Sequence, residues 1–322
     1  MPNPIPGIHH ITAIAGDPQR NVDFYVHFLG LRLVKKTVNF DDPGTYHLYY
    51  GDSIGHPGSI LTFFPWPGAH RGRPGTGEVS TVSFSVPDAS LDYWVRRAED
   101  TGIPTDATKT RFDGERFLSF SDPDGLPVEL VGVAVSPDGW GPSAVPEAHT
   151  IRGFHGAVLS VGGYERTAKL LADSFGFEPA GEHENRFRFR ARENKGIGSR
   201  IDVLCQPLLS RAMLGAGTVH HIAWRTENDE SQKQWRRHLA SLDYDVTPVM
   251  DRQYFHSIYF REPGGVLFEI ATDPPGFTFD ETAGELGTAL KLPPWLEHRR
   301  AAIERVLPPL ATERVSSAQG ED

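Results

Sequence analysis

The chain reads as an α+β protein built from four βαβββ modules, paired into cupped mixed β-sheets with the helices outside. Three observations predict this. Self-similar segments begin near residues 7, 79, 151 and 217. Each opens on a short strand that runs into a helix with clear start and stop signals. About three β-like runs follow each helix, and one four-stranded sheet with one helix cannot cover both of its own faces, so the modules must pair.

The opening strands are expected at 10–14, 81–86, 153–161 and 220–225. In the first module Asp17 should cap a helix, Pro18 suits its first turn and Gly30 ends it. Leu91, Trp94, Val95 and Ala98 recur at helical spacing in the second, which stops at Gly102. The third helix is expected over 164–175, before Gly176, and the fourth carries Trp235, Leu239 and Leu242 on one face. Later strands include Thr45-Tyr46-His47-Leu48-Tyr49-Tyr50 and Ser257-Ile258-Tyr259-Phe260, and the last of each module follows a Pro-Gly or Pro-Asp-Gly turn. The division expected is 1–145 and 150–272 for the two halves. An extension over 273–322 follows, with one helix and a frayed tail after about residue 312.

Composition narrows the function. A net charge of −10 over 322 residues argues against nucleic-acid binding. The alternating Arg186-Phe187-Arg188-Phe189-Arg190 reads as a strand with phenylalanines inward and arginines in water. The single cysteine, Cys205, lies in an apolar stretch and reads as a buried structural thiol in a reducing cytoplasm. No signal peptide is read, and no apolar run approaches the roughly 20 residues that span a bilayer.

The strings GIHHITAI at 7–14 and TVHHIAWR at 218–225 place a double histidine at the same point of modules one and four. Ile11 and Ala13 make the apolar face of the first strand, so His10 and Thr12 point into the cup. Ile222 and Trp224 do the same for His221. We therefore assign His10 and His221 as metal ligands and His9 and His220 as supporting or substrate-contacting groups. A strand bulge would swap the members of each pair. Pro57, Pro123 and Pro263 each precede a strand, and six residues further on stand Phe63, Glu129 and Glu269. Glu269, among Val266, Leu267, Phe268 and Ile270, completes two imidazoles and one carboxylate, a set that suits non-haem Fe(II) and also Mn2+. His155 and Glu129 stand at matching positions in the other pair, but Thr81-Val82-Ser83-Phe84 supplies no histidine and no second metal site is expected.

These modules and ligands resemble the vicinal oxygen chelate superfamily, over residues 7 to about 272. Residues 258–269, IYFREPGGVLFE, are similar to the signature of its extradiol ring-cleaving dioxygenases, and 273–309 to the tail of the hydroquinone-cleaving branch. The resemblance implies a small aromatic substrate with its second hydroxyl para, O2 as co-substrate and a homo-oligomeric tendency. Where catechol enzymes of the family carry a histidine this chain has Arg252, as the hydroquinone branch does. Arg252 would hold an anionic oxygen, with Thr12, His9 and His220 as further substrate contacts. Proton transfer would fall to His9, His220 or Tyr259. Glyoxalase-like members take a fourth ligand where we align Phe63, so an apolar residue there leaves coordination sites open. The competing expectations are a glyoxalase-type isomerase or lyase using Zn2+ or Ni2+, and a metal-free small-molecule-binding protein of the bleomycin-resistance type.

Overall fold

The computed structural model describes residues 2–112, 114–134, 143–192 and 196–312. The first module is β1 (Ile8–Ala15), α1 (Pro18–Val22), β2 (Arg32–Asn39), β3 (Asp42–Gly51) and β4 (Ile60–Pro65). The second is β5 (Glu78–Pro87), α2 (Leu91–Asp100), β6 (Lys109–Arg111), β7 (Glu115–Ser121) and β8 (Pro127–Val133). The third is β9 (Phe154–Val161), α3 (Glu165–Lys169), β10 (Phe177–His183), β11 (Arg186–Ala191) and β12 (Arg200–Cys205). The fourth is β13 (Thr218–Thr226), α4 (Asp229–Ser241), β14 (Met250–Asp251), β15 (His256–Arg261) and β16 (Leu267–Thr272).

The helix signals act as read. Asp17 accepts the Arg20 backbone N–H, and Pro18 is the first residue of α1. The last turns after α1 and α3 widen to π geometry, over Asp23–Phe28 and Leu170–Ser174, before Gly30 and Gly176 turn the chain with φ of 72° and 77°. Trp235 and Leu239 of α4 are buried, but Leu242 falls just past the helix end and is exposed. The second module's helix buries Leu91, Trp94 and Ala98 of its predicted stripe, and the fourth's stripe is one residue shorter.

The sheets mix the two halves of the chain. One has the order β14-β15-β16-β13-β1-β4-β3-β2 and the other β10-β11-β12-β9-β5-β8-β7-β6. Module one thus pairs with four and module two with three, through antiparallel joints β1·β13 and β5·β9. Each sheet curls into a cup whose convex face packs on the helices.

Three expectations change here. Arg186, Arg188 and Arg190 do alternate, but their face is the inside of the second cup, where Arg188 is buried among carboxylates. Cys205 is half-buried. The extension holds two short helices, α5 (Pro294–Glu297) and α6 (Arg300–Val306), where one was expected. The frayed tail after 312 lies outside the described residues. On its way the extension wraps the first cup. Lys35 of β2, fully buried, binds Asp280 at 2.6 Å and also Glu281, and Lys36 O accepts from Lys291 N. Phe277 and Leu286 pack there with Tyr254. Among the described residues no helix is long and apolar enough to cross a membrane.

Candidate metal centre and active site

Two strand bulges shape the centre. In the β1·β13 ladder Ile8 pairs with Trp224 and His10 with Ala223, which leaves His9 unpaired. Further along, Thr12 pairs with His221 and Ala13 with Val219, which leaves His220 unpaired. A bulge breaks alternation, so each unpaired histidine swings to the side of its neighbour. The pairs do not swap. Ring centroids lie 5.2 Å apart for His9 and His10 and 5.1 Å apart for His220 and His221.

His10, His221 and Glu269 converge, with one donor atom from each within 4.8 Å of the others. His221 Nε2 stands 2.9 Å and His10 Nε2 3.4 Å from Glu269 Oε2, and the two nitrogens are 3.4 Å apart. Glu269 Oε2 is nonetheless buried without a hydrogen-bond partner. Burial raises the Glu269 carboxyl, but His10 and His221 outweigh it and hold it well below the usual range. A charged, orphaned oxygen facing two imidazole nitrogens in a dry site fits a divalent cation.

The remaining atoms of these three donor residues are occupied. Ser257 Oγ donates to Glu269 Oε1. His10 Nδ1 lies 3.0 Å from His9 Nδ1, and His221 Nδ1 2.8 Å from His220 Nδ1. An imidazole that binds a cation through Nε2 keeps its proton on Nδ1 and donates it, so His9 and His220 accept. Burial and the adjacent His10 charge hold His9 well below an ordinary imidazole, and burial with His221 brings His220 down to about 3. Both are neutral near pH 7.

A cavity of about 320 Å³ opens above the centre, with His10, His220 and His221 in its wall. Arg252 and Tyr259 line one side. Arg252 Nε donates to Tyr259 Oη at 3.2 Å, and its Nη1 binds Asp41 of the β2–β3 turn at 3.0 Å. Burial and Glu269 raise the Tyr259 phenol, so it keeps its proton. Of the residues named from sequence, His9 and Thr12 do not line the cavity. His9 is packed behind His10 under Phe255, and Thr12 is buried and accepts from Thr62 at 2.8 Å. Sequence reasoning missed His47, Tyr49, Phe64 and Trp66, which form the opposite wall. The signal was present in β3, where His47 and Tyr49 alternate with Tyr46, Leu48 and Tyr50. Only Phe64 and Trp66 of the 64–78 loop reach the cavity. The rest pairs with 211–216 through Arg71, Arg73 and Thr76.

The register corrects one alignment. Ala223, two residues after His221, pairs with Glu269, and Thr12, two residues after His10, pairs with Thr62. Thr62 therefore occupies the fourth ligand position, not Phe63. Phe63 faces the other way and packs on Tyr25 with ring centroids 4.6 Å apart, a burial worth about 1.5–3 kcal/mol. In the second cup Ser83 pairs with both Gly156 and Glu129, as Ala223 pairs with both His10 and Glu269. Gly156 thus stands at the His10 position, and His155 matches the bulged His9. His155 Nε2 lies 2.9 Å from Glu115, while Glu129 binds Arg111 at 2.8 Å.

Comparison with known proteins agrees with this architecture. The chain is 49% identical over 307 residues to MhqO of Bacillus subtilis strain 168, provisionally named a ring-cleaving dioxygenase, covering 94% of this chain and 96% of that one. It is 35% identical over 317 residues to the chlorohydroquinone/hydroquinone 1,2-dioxygenase of Sphingobium indicum, covering 95% and 97%. A crystal structure of a provisionally named dioxygenase from Bacillus subtilis superposes with a TM-score of 0.92 at 48% identity, over 97% of this chain and 99% of that one. Glyoxalase I from Zea mays shares the fold alone, with a TM-score of 0.62 at 14% identity over 83% of this chain and 92% of that one. The sequence profile of the Glyoxalase/Bleomycin resistance protein/Dioxygenase superfamily matches residues 7–130 and 153–270, and the chain belongs to that superfamily.

Proposed function

We propose that the protein is a non-haem Fe(II)-dependent dioxygenase that cleaves a hydroquinone-type ring. The observation that carries the reading is the three-residue donor set His10, His221 and Glu269, with Thr62 rather than a carboxylate at the fourth position and a cavity on the open side. Two imidazoles and one carboxylate on one face would leave the opposite face for substrate and O2. Iron held there would acidify a bound hydroxyl and mediate electron transfer between ring and O2.

The chain's own residues then divide the work. Arg252 stays cationic and presents fixed donors to an anionic oxygen of the substrate. Neutral His220 accepts from His221 at Nδ1 and so offers Nε2–H to the cavity. Tyr259 accepts from Arg252, which leaves its own proton for a substrate oxygen. His9 fixes the tautomer of His10 from behind. The aromatic walls of Phe64 and Trp66 exclude water around the ring. The 35% identity to a hydroquinone 1,2-dioxygenase supports the para arrangement.

The test is anaerobic reconstitution with Fe(II), then oxygen uptake on hydroquinone, chlorohydroquinone and catechol. Uptake with the para-dihydroxy rings is expected. Uptake with catechol alone would overturn the para assignment, and none with iron bound would overturn the dioxygenase reading.

A further inference from the structure

A second cavity, of about 220 Å³, shares His220, His221 and Leu267 with the one above the donor set. Those three side chains are the partition between the two. Two arginines meet on the far side of it, at the turn between β15 and β16. Arg261 Nη1 donates to Gly265 O at 2.9 Å. Arg211 lies against the same glycine, where a Cβ would meet its Nη1 at 2.2 Å, and a Cβ on Gly77 would meet it at 3.0 Å. Both glycines hold a positive φ, 100° and 82°, and both leave room for the guanidinium. Both arginines are exposed, and among the described residues neither has a carboxylate within ion-pair distance.

The internal repeat contains a twin of this cavity that lacks its charge. Ser121 pairs with Pro127 as Arg261 pairs with Leu267, which sets the β7–β8 turn over the β15–β16 turn. A cavity of about 390 Å³ lies there, with Arg71 against Gly125 as Arg211 is against Gly265. Ser121 then stands where Arg261 does, and Asp124 where Gly264 does. Ser80, unpaired in the β5·β9 ladder as His220 is in its own, replaces the histidine. Glu78, buried and accepting from Gly75 N at 2.8 Å, lines both cavities and does not distinguish them. The twin therefore sets Arg71 against Asp124 and Glu78, whereas the cavity beside the histidines sets Arg211 and Arg261 against Glu78 alone. Only the second favours an anion.

On the ring-cleavage reading, an anion is made just across the partition. Opening the ring breaks the bond between a hydroxylated carbon and its neighbour, and O2, the oxidant, gives both its atoms to the product. The hydroxylated carbon becomes a carboxylate with loss of its proton, and the neighbour becomes an aldehyde. We propose that the Arg211–Arg261 cavity is a carboxylate site whose ligand is this ring-opened acid. Two guanidiniums at one glycine offer several charged donors to a single carboxylate. A neutral hydroquinone gains little from them, so the site separates product from substrate. The proposal rests on the ring-cleavage reading for the source of the acid, but not for the site.

Anaerobic calorimetry on Fe(II)-loaded protein tests it, with sorbate, a stable six-carbon diene bearing one carboxylate, as the probe. Arg211→Gln and Arg261→Gln should each weaken sorbate about tenfold, the loss of one charge-assisted hydrogen bond. Arg261→Gln also gives up the bond to Gly265, so Arg211→Gln carries the test if that variant does not fold. Arg71→Gln in the twin should change the sorbate Kd less than about twofold. No binding of sorbate, or equal binding by wild type and Arg211→Gln, would overturn the site. So would displacement of sorbate by hydroquinone, which would put the acid in the first cavity. Acetate separates the two sources of a carboxylate. It lacks the diene that packs on Leu267 and Val219, and should bind at least about tenfold more weakly than sorbate. Equal affinity would make the ligand any small acid from solvent and overturn the assignment to product. Sorbate binding is read without turnover, so a failure of ring cleavage would fall on the functional reading alone.

Discussion

In the first cup the inner strands present His10, Thr62, His221 and Glu269, whereas in the second the same register positions carry Gly156, Asp202, Thr81 and Glu129. One strand plan therefore serves two ends. Where imidazoles face a carboxylate, three lone pairs converge on a space that suits a cation. Where the imidazoles are gone, arginines from neighbouring strands take up the carboxylates. Arg111 binds Glu129 and Glu115, and Arg188 binds Asp202 at 2.7 Å and Glu115 at 2.6 Å. A Cβ on Gly156 would meet Arg200 O at 2.4 Å, so the second cup has no room for a ligand side chain at that position. The fold supplies the concave face, and two or three side chains decide whether it gathers a donor set that could hold a cation or closes as an ionic core.

Substitutions that break this contrast should have unequal effects. His10→Ala removes a proposed ligand and should lower oxygen uptake roughly a thousandfold with little change in melting temperature. Unchanged uptake would show that the donor set is not the reaction centre. Arg188→Met in the second cup should do the reverse, costing about 3 kcal/mol in denaturant unfolding while iron content and activity per folded molecule persist. A specific activity that collapsed with it would link the cups functionally. His9→Phe, which strips a ligand of its acceptor, should weaken iron binding about 10- to 100-fold in a competitive chelator titration.

The smallest change per residue is with pH. His9, His47, His155, His220 and His221 all have imidazole pKa values below normal, each through burial first. The unfolded chain binds protons near pH 6.5 that the folded chain refuses, so stability is full above that pH and falls below it. The loss should continue toward about pH 3, where His220 itself titrates. Each histidine contributes up to about 1.4 kcal/mol per pH unit. Thermal melts of apoprotein from pH 7.5 to 5 should show the decline, and a flat profile would contradict the buried neutral histidines.

Much of the site was legible because it repeats. The double histidines and the strand glutamate marked His10, His221 and Glu269 without any structure. What stayed hidden was register. Counting from a proline pointed to Phe63 where the ladder puts Thr62, because loop length before a strand varies by a residue and one residue reverses the face. Bulges at His9 and His220 are equally invisible, since they break the alternation on which the reading depends. Arg186, Arg188 and Arg190 show a third limit. Alternation separates two faces of a strand but does not say which is wet, and here the arginine face turns into a cup lined with acids.

The central claim is that one cup of the two holds metal. Elemental analysis of iron-reconstituted wild type, Glu269→Gln and Glu129→Gln protein tests it most directly. About one iron per chain is expected in the wild type and in Glu129→Gln, with nearly none in Glu269→Gln. Two irons per chain in the wild type, or one retained after Glu269→Gln, would contradict it.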